Sequence, residues 1–489
     1  MQTLDLWLKY IDTNERMPLF DEEPKEYSIP DLTTLDLVDE PESTTHKSIA
    51  RIVNNDLSAL KDVESLDDLS YIFTWLWERN AKGLLLRCVS YLLGEIREPE
   101  SAALAPAAIL EAIFVSLDSN PFLSTCFAQT GKWNELPEEL TDKIENRGPD
   151  ILKGFILSAN DAQELVLMPL KNVFSQIQSM SSDTFCELIE LVALTVHSPD
   201  LALDILLECF EPESVRLIHG VDKLIIDNLT HNLIGIALDH IGEVDEQAKE
   251  REDLLTLKSN PKQDGGNTVV EATFRIDSPN GTPNRWTHVR LTVASQPTNS
   301  PFGKPWSVDT LVTSSEKGTA KFRCLHPLPP YFEQCSWRLT DCAPFVTANA
   351  MFSASKKFAT NPETYCPIWM QLLGSSSSLP SSSISSPVAY HARAELNKSQ
   401  NAAVEAVLKH PLISLWGPPG TGKTQTIVAA IIELEHILQE ERILVTAPTH
   451  NAVDNVMRRY LAAKGNTDRQ FVLRVSTEVR KTSSITIWR

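Results

Sequence analysis

LISLWGPPGTGKT, residues 412–424, sets an apolar run directly against a glycine-rich octapeptide. Leu412, Ile413, Leu415 and Trp416 have the pattern of a short buried strand. Gly417-Pro-Pro-Gly-Thr-Gly-Lys423-Thr424 fits G-x-x-x-x-G-K-[ST]. From Thr426 to Leu438 the spacing turns helical, with Ile427, Ala430, Ile431, Leu434 and Ile437 on one side. Strand, loop and helix in that order are the context in which the pattern becomes a phosphate site. Gly417, Gly420 and Gly422 let successive backbone N–H groups point inward as an anion nest. The N-terminus of the following helix adds its partial positive charge. Lys423 is placed to reach the β- and γ-phosphates of ATP, and the Thr424 hydroxyl to hold Mg²⁺. These two are the candidate catalytic residues. The candidate cofactor cradle comprises Gly417, Pro418, Pro419, Gly420, Thr421, Gly422, Lys423, Thr424 and Gln425. The competing reading is an ordinary Gly/Pro turn between a strand and a helix.

Outward from this loop, the 489-residue chain has room for about three domains, at ~150 residues each. It is 42% hydrophobic and 22% charged, as expected of a globular protein with large cores. No apolar run approaches the ~18–20 residues of a membrane span. The first residues, MQTLDLWLKYIDTNER, have neither a basic nor a continuous apolar region of a secretory signal. The expectation is a cytoplasmic or nuclear protein. Eight cysteines lie at 88, 126, 186, 209, 324, 335, 342 and 366. None forms C-x-x-C and none has zinc spacing, so buried free thiols are expected. The net charge of −21 is unevenly spread. Residues 390–489 hold 13 Lys/Arg against 9 Asp/Glu, and the remainder holds 31 against 56. The phosphate-binding end is therefore mildly basic, which is compatible with a polyanionic partner.

Composition and periodicity suggest a multidomain chain: an α-helical array, then a small β domain or barrel, then part of an α/β P-loop (RecA-like) domain. Residues 1–45 read as an acidic, partly disordered leader, and 46–262 as all-α. Helices are expected over Leu69–Ile96, Ala107–Leu117, Phe185–Val196, Asp200–Phe210 and Val221–Ile241, separated by turn signals such as Asn120-Pro121, Ser198-Pro199 and Pro212. Their short length and broad apolar surfaces suit a stacked α–α array, and a protein-interaction platform is its expected role. No fixed-period repeat is evident. His197, His219, His231 and His240 lack ligand spacing and read as core or surface histidines.

Near residue 264 the period changes to two, and 263–374 reads as β-rich. Val270, Ala272, Phe274 and Ile276 alternate, Ser278–Gly281 supplies a turn, and Val289, Leu291 and Val293 alternate again. A second pair is expected over Val308–Thr313 and Thr319–Cys324, with a further strand at Trp337 and Leu339 and a helix over Phe345–Ala359. The serine-rich 375–389 reads as a linker, and 390–489 as the ATPase part.

GPPGTGKT alone does not choose a family, because ring-forming AAA+ ATPases carry it too. Two flanking blocks narrow the choice. Upstream lies Leu396-Asn-Lys-Ser-Gln400-Asn-Ala-Ala-Val404, opening a helix that runs to about Leu408. Downstream, a strand over Arg442–Val445 runs into Thr446-Ala-Pro-Thr-His-Asn-Ala-Val-Asp454. In this order and spacing the three blocks resemble superfamily 1 helicases of the Upf/Sen type. The resemblance covers about Tyr390–Arg489. It implies that Gln400 sits against the adenine edge, where an amide can donate to N7 and accept from N6. The competing reading makes Gln400 a surface residue at a helix start capped by Ser399. The resemblance further implies that Thr446, Pro448, Thr449 and Asn451 face the backbone of single-stranded RNA or DNA. An ordinary strand-to-helix loop is the alternative there.

The family's Walker B Asp-Glu pair, its γ-phosphate glutamine and its arginine fingers have no counterpart among residues 425–489. Phe471–Val475 reads as one further strand. Arginine fingers alone are worth ~10³–10⁵ in rate, so weak nucleotide binding and negligible turnover are expected of this polypeptide by itself. It looks like a fragment of a larger helicase. A non-catalytic helical scaffold with a vestigial P-loop is the alternative function, and an AAA+ ring ATPase a weaker one.

Overall fold

The computed structural model describes residues 44–79, 81–95, 104–129, 138–161, 181–210, 223–259, 268–274, 281–295, 306–316, 318–329, 331–360, 396–410, 412–438, 442–447, 449–464 and 472. The leader, the serine-rich linker, the 278–280 turn, Pro212, His219, Cys366, Pro448 and most of 471–475 lie outside them. The chain divides into two compact units, Met1–Pro362 and Glu363–Arg489.

In the first unit the helices are α1 Thr44–Val53, α2 Leu66–Glu78, α3 Lys82–Glu95, α4 Pro106–Ser116, α5 Phe122–Gln129, α6 Glu138–Ser158, α7 Ser182–Thr195, α8 Pro199–Cys209 and α9 Lys223–Gln247. Their starts follow from local chemistry. Ser65 and Ser181 accept from the backbone N–H of Asp68 and Thr184 at 3.0 and 3.1 Å. Ser198 caps α8, whose first residue is Pro199. The single helix expected over Leu69–Ile96 is two. α2 ends at Glu78 with Arg79 as its cap, and the Ala81 N–H reaches back to the Leu76 carbonyl at 2.9 Å, which breaks the i→i−4 ladder.

The β elements are β1 Lys249–Leu255, β2 Leu257–Ser259, β3 Val269–Thr273, β4 Thr287–Ser295, β5 Ser307–Glu316, β6 Thr319–Cys324 and β7 Ser336–Pro344, followed by helix α10 Val346–Thr360. They form one antiparallel sheet in the order β1-β7-β4-β5-β6-β3-β2. β1 and β2 are the two ends of that order, yet only Thr256 separates them in the chain. The sheet must therefore curl until its edges meet there. β5 and β6 pair as expected, but β3 does not pair with β4; its partners are β2 and β6. The sheet also begins at Lys249, ahead of the change in period. Helices and strands share a core, in which Trp77 of α2 meets Trp306 edge-on, with ring centroids 4.9 Å apart. Seven of the cysteines are buried free thiols. Burial pushes Cys88, Cys186, Cys324 and Cys342 up to about 12, so they stay protonated and inert. Among the described residues no helix is long and apolar enough to cross a membrane, and no group of side chains could hold a metal ion.

One polar cluster sits inside this unit. Asp309 of β5 is 1% exposed and accepts from four side chains. Oδ1 takes Arg290 Nε at 3.0 Å and His288 Nε2 at 3.3 Å; Oδ2 takes His197 at 2.9 Å and His326 at 3.2 Å. Arg290 lies directly across from Asp309 in the β4–β5 register. His197 comes from the α7–α8 connection, so the carboxylate ties the helices to the sheet. Burial alone would raise the Asp309 carboxyl, but His197 and the hydrogen bonds from the histidines hold it well below the usual range. Behind it, His240 of α9 meets His288 at 3.3 Å, and burial followed by the neighbouring His288 lowers His240 to about 3. His288 is lowered too, by burial first.

A histidine held neutral in the fold is protonated in the unfolded chain below its ordinary 6.5, so acid favours unfolding. Stability is therefore complete above about pH 6.5 and declines as pH falls towards 3. For His240 alone the loss is about 2 kcal/mol at pH 5. Urea unfolding at pH 7.5 and pH 5.0 checks this: His240→Phe should flatten the pH dependence by that amount, and an unchanged slope would refute it.

Candidate nucleotide-binding site

The second unit has three helices, α11 Lys398–Lys409, α12 Lys423–Leu438 and α13 His450–Lys464; α12 packs on both of the others, and the glycine-rich loop leads directly into it. α12 starts at Lys423, so its unpaired N–H groups lie at the end of the loop, as the motif requires. Gly420 and Gly422 have φ of +80° and +81°, a backbone conformation that side chains with a Cβ rarely adopt. A Cβ on Gly417 would meet Thr421 Oγ1 at 2.8 Å. The Thr421 hydroxyl donates to the Pro418 carbonyl at 2.8 Å and closes the turn. Lys423 Nζ folds back to the carbonyls of Gly417 and Pro418, the second at 2.9 Å. Pro418, Pro419, Gly420, Thr421 and Lys423 are exposed; Gly417, Gly422, Thr424 and Gln425 are half-buried. A concave loop that a Cβ would fill, with a lysine at its rim, suits a polyphosphate.

Gln400 lies against this loop. Asn397, and not Ser399, caps α11, and the Asn397–Gln400 pair forms a reciprocal capping box. Gln400 Oε1 accepts from the Asn397 N–H at 2.9 Å, and Nε2 donates to the Thr421 carbonyl at 3.0 Å. Each end of the amide keeps one unused position, an acceptor lone pair and an N–H. The glutamine block is thus bonded to the phosphate loop by the same side chain expected to meet adenine. Gly422 is required there as well, since its Cβ would lie 2.5 Å from Gln400 Nε2. Gly422→Ala would strain φ and displace the Gln400 amide, at roughly 1–2 kcal/mol. We expect a five- to thirtyfold loss of ATP affinity by equilibrium dialysis; an unchanged affinity would show the loop to be more plastic than its geometry.

Three expectations about the surroundings need correction. Residues 412–416 and 442–445 are not strands, and neither has a ladder partner among the described residues. Trp416 and Leu444 are each 88% exposed, and Leu415 is exposed as well, so the apolar run is not buried. Strand character depends on a neighbouring strand, which an apolar run cannot itself supply. The buried face of α12 is only partly the expected one: it carries Thr426, Val428, Ala429, Ala430, Ile432 and Glu433, so Ala430 is buried as expected, while Ile431, Leu434 and Ile437 are half-buried and Ile427 is exposed. The run is apolar on more than one side, so spacing did not select the face. The α12–α13 contact is instead held by Glu435, which takes Lys464 Nζ at 2.9 Å and the Tyr460 hydroxyl at 2.8 Å. Of the residues expected at nucleic acid, Thr446, Thr449 and Asn451 are exposed. Thr449 Oγ1 also accepts from the Ala452 N–H at 3.3 Å at the start of α13.

Residues 395–487 match the family described as AAA domain. The chain is 49% identical to the ATP-dependent helicase NAM7 of Saccharomyces cerevisiae over 71 residues, 14% of this chain and 7% of that protein. It is 39% identical to the regulator of nonsense transcripts 1 homolog of Neurospora crassa over 94 residues, 19% and 8% of the two chains. Human RNA helicase Mov10l1 matches at 42% over 89 residues, 17% and 7%. The matched stretch thus spans less than a tenth of these relatives. Together with the loop and the glutamine block it establishes one assignment: the stretch built around Gly417–Thr424 belongs to the Upf1-like superfamily 1 helicases.

Proposed function

We propose that this chain carries the ATP-binding part of an ATP-dependent RNA or DNA helicase, with residues 390–489 forming part of a RecA-like domain. The observation that supports it best is the 3.0 Å bond from Gln400 Nε2 to the Thr421 carbonyl, which sets a candidate adenine reader beside a candidate phosphate cradle. Gly417–Gly422 would wrap the phosphates with backbone N–H groups, and Lys423 would exchange its two carbonyl partners for β- and γ-phosphate oxygens. Thr424 would hold Mg²⁺, which supplies charge neutralisation across those oxygens. The free positions of the Gln400 amide would read adenine. Thr446, Pro448, Thr449 and Asn451 would face the backbone of a single strand without reading sequence. The helical array of the first unit would serve protein partners, and the protein would work in cytoplasm or nucleus.

The test is equilibrium binding by the full chain with Mg²⁺. Saturable ATP binding should exceed GTP binding about 5- to 160-fold, the ~1–3 kcal/mol of one bidentate base contact. A single-stranded 20-mer should bind with an affinity that falls as salt rises. Equal affinity for ATP and GTP would remove Gln400 from the site. No saturation by ATP at millimolar concentration would overturn the reading in favour of a scaffold with a vestigial loop.

A further inference from the structure

The capping box at the start of α11 decides which way round the Gln400 amide faces. An amide has an accepting end and a donating end of nearly the same shape, and its partners set their order. Here both partners are backbone groups of a single polarity. The Asn397 N–H can only donate, and it meets Gln400 Oε1 at 2.9 Å. The Thr421 carbonyl can only accept, and it meets Nε2 at 3.0 Å. Turning the amide over would set donor against donor at one end and acceptor against acceptor at the other. The amide also lies close against Gly422, where a Cβ would come within 2.5 Å of Nε2.

Asn397 holds this arrangement through its own side chain. Its Oδ1 accepts from the Gln400 N–H and from the Ser399 hydroxyl, each at 2.9 Å. The first of these bonds fixes the opening turn of α11, and that turn aims the Asn397 N–H at Gln400 Oε1. Without Oδ1 the two halves of the box are no longer tied. Gln400 is then left with one anchor in place of two, and its amide is free to swing or turn over.

The pinned amide offers a free N–H at the Thr421 end and a free lone pair at the Asn397 end. A 6-aminopurine meets both, with N7 accepting and N6–H donating. A 6-oxopurine presents two acceptors, N7 and O6, so its O6 would face the lone pair. A released amide escapes that clash by turning its NH₂ towards O6. The geometry points to Asn397 as a positioning residue: by fixing the polarity of the Gln400 amide it makes the site select 6-aminopurine over 6-oxopurine nucleotides. This rests on the reading above that Gln400 meets the base.

The test measures equilibrium affinities of the full chain, with Mg²⁺, for ATP, ITP and 7-deaza-ATP. ITP carries O6 without the 2-amino group of guanine, and 7-deaza-ATP lacks the N7 acceptor. The wild type should prefer ATP to both. Asn397→Ala should lower the ATP:ITP ratio about fivefold, the factor for an N-cap of typical strength, while ITP, held through its phosphates, stays within about twofold. The gap between ATP and 7-deaza-ATP should narrow with it. Asn397→Ser, a neutral cap with an acceptor at the same place, should restore both ratios. An asparagine that only supports the fold would lower all three affinities together. If the wild type binds ATP and ITP alike, the placement of Gln400 at the base fails and takes this inference with it. If the wild type prefers ATP and Asn397→Ala keeps the ratio, or the serine does not restore it, the inference alone is overturned.

Discussion

Replacing Asp309 with asparagine should cost the first unit roughly 3–5 kcal/mol, the penalty for removing one partner of a buried ionic network. The carboxylate has two oxygens and four donors; an amide offers one oxygen and turns an NH₂ towards groups that are themselves donors. Arg290, His288, His197 and His326 would be left to compete for a single acceptor. His197 ties the α7–α8 connection to the sheet, so the damage extends beyond the strand pair. Unfolding of the full chain in urea, followed through the buried Trp77, Trp306 and Trp337, measures it. The control that isolates electrostatics is Asp309→Leu combined with Arg290→Met. Replacing charge by apolar volume should recover part of the loss, because the desolvation of both groups disappears with their attraction. A cost below 1 kcal/mol for Asp309→Asn would mean that water already serves these donors.

This cluster also shows where the sequence stops being readable. Strands between Val269 and Pro344 were visible where one face is buried and the period is two, as in β6 with its alternating burial. β1 was not. Its sequence KEREDLL is mostly charged, as suits an edge strand guarded against further pairing, and it reads as the polar tail of α9. The one sign of the cluster was an acidic residue inside Val308-Asp-Thr-Leu-Val, a segment buried on both faces. Its four partners stand 17, 19, 21 and 112 residues away, which no local pattern can connect. The Gly417–Thr424 loop is the opposite case. The motif is eight consecutive residues, and Gln400 stands at the start of the adjoining helix, so both could be singled out from local sequence. The flanking runs at 412–416 and 442–445 were apolar as strands are, but a strand is completed by its partner and not by its own residues.

The loop itself yields the other large effect. In Lys423→Ala the ATP affinity of the full chain should fall on the order of 100-fold, because charge-assisted bonds to two phosphates are lost at ~1.5–3 kcal/mol each, offset by the bonds Lys423 gives up to bind. Those bonds run to the Gly417 and Pro418 carbonyls, at an exposed rim where water can replace them. The substitution should therefore leave the thermal midpoint of the nucleotide-free chain unchanged. What should vanish is the rise in midpoint on adding Mg·ATP, which for the wild type grows with ligand as RT ln(1 + [L]/Kd). This pair of readouts separates a phosphate-binding lysine from one that merely ties its own loop. If Lys423→Ala lowered the nucleotide-free midpoint and bound ATP with unchanged affinity, the side chain would be a structural clamp, and the phosphates would have to be held by the backbone of Gly417–Gly422 alone.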